Sequence, residues 1–562
     1  MTMMFSEIQG VLNVKDDLWC GGKSKWINLP NFFRAVFVLF SCAIAVISYD
    51  VFLDRFNTPK WFIFDLFIVV IISLAIFKKV EVKASALSVS FLLLSCYMLI
   101  SSIWSPNFFE AILFTVRFVA FGFSIYLISV TFSKDDVLKM LVDGVFYASF
   151  VFCLVIIYQR YIALTPYSFI NFSPIGFVNY LGQVLNIWIP ILVLSIYMHR
   201  RSKLRLALGL FSLVILMNLL LESGTRGTIL GLLCAEVFIL AVMLIKTKKL
   251  PFKYMAISAG LLFSIATFSM LKEYGPNQLR DQVSSITALK TGRENVFANT
   301  IDMALDNPQG VGAGNFEFVH PKYGRMGTEH SSPYLSSHSM LLSPYNIILK
   351  FYSELGLVFG SLFTLLFFSL IFIAFRNFLI GNYIDVWVFL AVFSACFHAM
   401  FSSVFLTPVS LFFSLGLFSV VLSRSTLKMK SKTVSKPISL CLFLFVVLAT
   451  AYLRGVELKS NYLSGLGSIK GDSELIEEAI ELNEYNYFAM LMISKVYMYK
   501  DNDLHAALNS IERALVIYPY LVSGLVQATE ISHQLGDVEK FNFYKGKVLA
   551  IYPNNERVNK LQ

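Results

Sequence analysis

Residues 206–245 read LALGLFSLVILMNLLLESGTRGTILGLLCAEVFILAVMLI. The apolar runs 206–222 and 227–245 are each close to the ~20 residues that a helix needs to cross a hydrocarbon layer ~30 Å thick. One polar turn, Ser223-Gly224-Thr225-Arg226-Gly227, separates them. In lipid every backbone N–H and C=O has to be satisfied within the segment, so two such runs predict a helical hairpin. Comparable runs recur at roughly 32–49, 61–77, 84–104, 109–130, 140–160, 176–198, 254–271, 350–375, 383–401, 404–422 and 437–453. The expected fold is therefore all-α, a polytopic membrane helix bundle of about 12–13 spans.

Composition agrees. Of 562 residues, 57% are apolar, 15% are charged and 54 are Phe, which no soluble domain of this length resembles. Six of the seven cysteines lie within or at the edge of apolar runs and none forms a CxxC pair, so they read as small packing residues. A net charge of +10 would suggest nucleic acid in a soluble protein. Here the basic residues cluster in alternate short loops (78–83, 199–205, 246–253, Arg376, 423–436), the pattern of membrane topology rather than of a nucleic-acid partner. Placing those loops and the tail 1–31 in the cytoplasm puts 50–60, 161–175, the turn at 223–227, the long loop 272–349 and everything after Leu453 outside it.

Residues 454–562 turn polar and helical. Pro519 and Pro553 stand 34 residues apart, and VYMYKDNDLHAALNSIERALVIYP resembles a tetratricopeptide repeat followed by a degenerate copy. Stacked helix pairs of that period bury their apolar faces on one another and commonly bind a protein partner. The alternative is that they cap a domain.

The polar weight of the membrane part, 32–453, lies in the loop 272–349, longer than an ordinary connection and so expected to be functional. TGRENVFANTIDMALDN (291–307) has helical spacing, with Arg293 in its first turn, where a cation opposes the helix dipole and so suggests another duty. NPQGVGAGNF (307–316) follows as a close-approach glycine turn, then His320, His330 and His338. Their spacing fits no metal site, and neither a metal nor another cofactor is expected.

Taken in order, ISSIWSPNFFEAI (100–112), GFVNYLGQ (176–183), SGTRG (223–227), TGR (291–293), NPQGVGAGNF, the N-x-x-L and E-x-G of 346–356, and HAMFSSVFLTP (398–408) resemble the O-antigen ligase and polymerase superfamily of bacterial envelopes. The resemblance covers about residues 84–422. It implies an inner-membrane enzyme that moves a glycan from an undecaprenyl diphosphate carrier to an acceptor hydroxyl on the periplasmic face. That acceptor is a lipid A core, a growing glycan, or a protein, as in a protein O-oligosaccharyltransferase. A flippase or exporter of lipid-linked glycans is the alternative from another class. It predicts a polar central cavity and inverted repeats, and no second copy of SGTRG or TGR is present.

The leaving group of such a reaction is a diphosphate whose developing charge needs cations. The planar fork of arginine matches phosphate oxygens and keeps its proton. Arg226 and Arg293 are the expected clamp. Arg226 is otherwise a topology marker, and Arg293 otherwise pairs with a neighbour such as Glu294 or Glu329. No carboxylate pair of suitable spacing is apparent near the loop, which argues against glycoside hydrolysis and a Mg²⁺-dependent step. Where the family has a His-Asn pair this chain has Tyr345-Asn346, so His338 is assigned as general base and Tyr345 as a positioning residue. Asn346 either positions the acceptor or caps the helix after it. Arg117 either lines the cavity or pairs with a buried acid. Asn179, Thr225, His330 and Glu354 complete the expected substrate-binding set.

Overall fold

The computed structural model describes residues 29–561 apart from 53, 167, 169, 170, 248–292, 325–340 and 426–431. The fold is an all-α polytopic bundle. Its first eight helices are α1 (Leu29–Val46), α2 (Asn57–Phe77), α3 (Ala86–Ser101), α4 (Phe108–Thr131), α5 (Lys134–Ile157), α6 (Val178–Met198), α7 (Lys203–Ser223) and α8 (Arg226–Thr247). The loop contributes α9 (Arg293–Asp306) and the single turn α10 (Phe316–Val319). Three membrane helices follow, α11 (Ile347–Ile380), α12 (Tyr383–His398) and α13 (Pro408–Ser423), then the 35-residue α14 (Lys436–Lys470). Helices α15 (Ser473–Leu482), α16 (Tyr487–Val496), α17 (Leu504–Ile517), α18 (Val522–Leu535), α19 (Val538–Ile551) and α20 (Glu556–Asn559) close the chain. Ten described helices are long and apolar enough to cross a membrane, and α12 and α13 are shorter apolar helices. The expected span at 254–271 lies outside the described residues.

Helices α12 and α13 have 16 residues each, about 24 Å at the helical rise, and their shortness has a physical reason. Both are buried along most of their length, and most of the irregular segment between them, 399–407, is buried or half-buried in protein, as irregular backbone at membrane depth requires. Phenylalanine packs this centre. Phe412 stacks on Phe37 with ring centroids 5.0 Å apart, and Trp188 lies between Phe152 and Phe413 at 5.5 and 5.2 Å.

The two ends of the bundle differ. At one, the basic connections meet: Val434 N–H donates to Val82 O at 2.9 Å, and Arg34 and Arg205 share Asp143. At the other, the long loop and the C-terminal helices settle together on the bundle. Trp104 Nε1 donates to Gly310 O at 3.0 Å, Tyr97 Oη to Gln309 O at 2.7 Å, and Asn107 Nδ2 to Tyr485 O at 3.3 Å. Helix α14 belongs to both regions, running unbroken from its apolar half into the C-terminal helices. Their core of Ile476, Ile493, Ile511 and Ile531 also takes in Phe318 from the loop.

Candidate functional site

The turn Ser223–Gly227 is built by capping and close packing. Gly224 ends α7 in the left-handed conformation, and α8 starts at Arg226. Gly227 and Gly231, one helical turn apart, give α8 a smooth face. A Cβ at Gly227 would stand 2.4 Å from the ring of His398, and one at Gly231 would stand 2.8 Å from Asn186 and from the Ser394 carbonyl. Asn186 Oδ1 meets His398 Nδ1 at 2.9 Å, and the Asn186 amide also binds Ser394 Oγ. Helices α6, α8 and α12 are thus locked together beneath the turn.

Arg226 sits on that lock, one residue from the His398 contact. Half-buried, it forms no hydrogen bond or ion pair with any described residue. Arg293 opens α9 and reaches the same end of α12: its Nη1 donates to Phe401 O, and its guanidinium lies 5.2 Å from the ring centroid of Tyr345. The segment after α12 is stitched to the segment before α11. Ile347 N–H donates to Ala399 O at 3.0 Å, Asn346 Nδ2 to Met400 O at 3.1 Å, and Ser343 Oγ meets Ser403 Oγ at 2.5 Å. These contacts bring Arg226, Arg293, Tyr345 and Asn346 around one helix end, although 66 residues lie between the two arginines in the chain.

The other expected residues divide. Asn346 caps α11, its Oδ1 accepting from Ile348 N and Leu349 N at 2.9 and 3.0 Å, so of its two readings the structure provides the cap. Thr225 is buried, its hydroxyl against Ser223 Oγ at 2.9 Å and against the position a Gly182 side chain would need. Glu354 is fully buried. Its Oε1 accepts from Lys350 and from Phe316 N, while Gly312 N–H donates to its carbonyl at 2.9 Å, so it pins the glycine turn across the kink at Gly356. Arg117 satisfies both of its readings, pairing with Glu457 at 2.7 Å and lining a cavity. His330 and His338 lie outside the described residues. His320 is buried against Phe316, and burial pushes its pKa down to about 4, so it is neutral.

That cavity, about 1520 Å³ and mostly apolar, runs between α2, α3, α4, α11, α13 and α14. Asn179 and Tyr345 line it, whereas Arg226, Arg293, Thr225 and Glu354 do not. It also gathers residues that sequence reading passed over: Glu110, Glu317, Lys350 and Glu457. These carboxylates meet because α4, α10 and α14 converge from distant parts of the chain. Behind the wall the charges close on themselves: Arg454 binds Asp65 and Glu457 at 2.5 Å each, and Arg117 lies 4.4 Å from the centroid of Trp61. Glu317 is gripped by the C-terminal helices, its carbonyl accepting from Tyr518 Oη at 2.5 Å and its carboxyl from Tyr487 Oη at 3.4 Å.

The O-antigen ligase family matches residues 211–364, which contain both arginines, the glycine turn, Tyr345 and Glu354. No curated protein matches the chain. The family match supports a membrane glycan transferase of the ligase or polymerase type in general.

Proposed function

We propose that the chain transfers a glycan from a lipid diphosphate carrier to an acceptor hydroxyl at the end of the bundle that holds the long loop. The observation that carries this reading is the meeting of Arg226 and Arg293 at the C-terminal end of α12, with Arg226 lacking a counter-ion among the described residues. A half-buried guanidinium without an acid is costly unless a ligand supplies the negative charge. A diphosphate supplies it and fits the guanidinium fork.

In the proposed step the acceptor oxygen bonds to the anomeric carbon as the bond from that carbon to the diphosphate oxygen breaks. The bonding pair leaves with the diphosphate, where the arginines meet the new charge, and the acceptor proton passes to a base. His338 is assigned that role, and Tyr345, touching Arg293 and lining the cavity, positions the reactants. The apolar cavity offers room for a lipid tail or acceptor beside the clamp. By this reading the loop and the C-terminal helices lie in the periplasm and the basic connections in the cytoplasm, with the membrane part at 32–453 and a separate C-terminal domain at 454–562. The acceptor is a growing glycan by preference, with a lipid A core or a protein as the other candidates. The C-terminal helices support the reading in a way the repeat pattern did not suggest, since Phe318 and Glu317 of the loop already occupy part of their inner surface.

The test is a deletion strain in which lipid-linked glycan is measured alongside its transferred product. Deletion should accumulate the former and lose the latter, and His338→Ala should behave likewise while still binding donor. A strain whose lipid-linked pool and products are unchanged would sink the proposal.

A further inference from the structure

The cavity is chemically uneven. At Tyr345 it borders Arg293, whereas the wall formed by α4, α10 and α14 is rich in acids. There Arg117 is already answered by Glu457 and Lys350 by Glu354. Glu110 hydrogen bonds to no described residue, and its carboxyl group lines the cavity. Close to it stands Glu317, whose pKa burial, and then the charge of Glu110, push up to about 8, so that it keeps its proton at neutral pH. A protonated carboxyl donates and an ionised one accepts, and the Lys350 ammonium has hydrogens beyond the one it gives Glu354. Donors and acceptors side by side, with an excess of acid, match a polyhydroxyl ligand that carries no charge. A phosphate brought here would meet the Glu110 carboxyl group beside cations already engaged by Glu457 and Glu354, so no free cation among the described residues of the wall compensates its charge.

We propose that this wall is an acceptor subsite that takes the uncharged, hydroxyl-bearing end of a glycan, with Glu110 accepting a hydrogen bond from a sugar hydroxyl. The proposal rests on the glycan-transferase reading and narrows it, because a phosphorylated acceptor is disfavoured at this wall. It divides the labour: arginines hold the donor's diphosphate, and carboxyl groups hold the acceptor.

The probe is the oligosaccharide that accumulates on lipid in cells deleted for the chain, released by mild acid as the free sugar and, separately, with one anomeric phosphate retained. Binding of each form to the full-length protein in nanodiscs is measured by calorimetry. The free sugar should bind wild type, Glu110→Gln should weaken it several-fold, Glu110→Ala by roughly tenfold or more as expected for a lost charged hydrogen bond, and Glu110→Lys should abolish it. Arg226→Ala should weaken the phosphorylated form selectively. Glu110→Gln keeps the shape of the side chain and guards against loss through misfolding. If the wild type fails to bind the free sugar, if all Glu110 variants bind it like wild type, or if the glycan's own outer end is anionic, the subsite is overturned. Absence of any lipid-linked glycan in the deleted cells would instead overturn the transferase reading beneath it.

Discussion

Arg117 and Arg226 are both arginines on membrane-length helices, and the fold treats them in opposite ways. Arg117 belongs to a closed set: Glu457 answers it, Arg454 answers Glu457, Asp65 answers Arg454, and Trp61 covers the guanidinium. Arg226 stands on a tightly packed lock of α6, α8 and α12 and meets no acid among the described residues. The first arrangement satisfies charges that three helices bring together. The second leaves a cation poised where rigid helices fix its position. An ion pair that closes on itself is the mark of structure, and a cation held rigid without its partner is the mark of a site.

The strongest attempt to break this contrast exchanges the forks for point charges. Arg226→Lys and Arg293→Lys should each lower glycan transfer by about 10²–10³, as removal of a preorganised donor does elsewhere, with insertion and expression unchanged. Quantifying product per folded enzyme checks it, and lysine variants that transfer at the wild-type rate would remove the clamp.

Stability should respond in the opposite order. Arg117→Ala leaves Glu457 and its neighbours with one cation fewer in an enclosed place, and breaking a buried pair typically costs about 3–5 kcal/mol. Arg226→Ala breaks no pair to a described residue, so its cost should stay within about 0.5 kcal/mol, as at sites away from special features. Thermal unfolding of both variants in detergent measures the difference. Equal losses would mean that the two arginines play the same structural part.

Much of this contrast's frame was legible in the sequence. The apolar runs announced the ten described span-length helices and the two shorter apolar ones because a bilayer sets their length, and the polar weight of the long loop singled out Arg293. Asn346 was legible as a possible cap because Asn before an apolar run is an N-cap signal. The acid wall was not legible. Arg117 and Glu457 lie 340 positions apart, and no spacing rule connects them. Glu317 sits within a short apolar turn, so nothing in its neighbours announces that the C-terminal helices will enclose it. Whether those helices bind a partner or cap a domain was equally illegible, because a repeat pattern specifies stacking but not what fills the inner face.

A finer test concerns Asn346, which lies on the arginine side yet is occupied as a cap. Replacing an N-cap asparagine by alanine typically costs about 1 kcal/mol, whereas aspartate retains the acceptor oxygen. Asn346→Ala should therefore lower stability modestly, and Asn346→Asp should retain the cap but lose the amide bond to Met400 O. Transfer rates should follow stability in both. A loss of transfer far beyond the loss of stability would mean that Asn346 touches the acceptor after all.

The smallest effect should be a pH dependence confined to the acid side. Glu317 faces Glu110, Lys350, Glu354 and Tyr487, and its carboxyl is held well above the ordinary value of 4.5, at about 8. Tyr487 and Tyr518 are pushed well above 10 by burial and by Glu317, so neither titrates in this interval. The folded protein thus keeps a proton on Glu317 that the unfolded chain releases. A raised carboxyl favours folding fully only below 4.5, and that contribution is lost progressively as pH rises towards 8, beyond which the slope from this group vanishes. The docking of the loop on the C-terminal helices should loosen across that window, read as faster amide exchange at residues 307–319 after correction for the intrinsic rate. Glu317→Gln cannot ionise, so it should flatten the profile and surpass wild type near pH 8. A wild-type profile already flat between pH 5 and 8 would show that Glu317 is ionised in the folded protein, and the acid wall would then lack its donor.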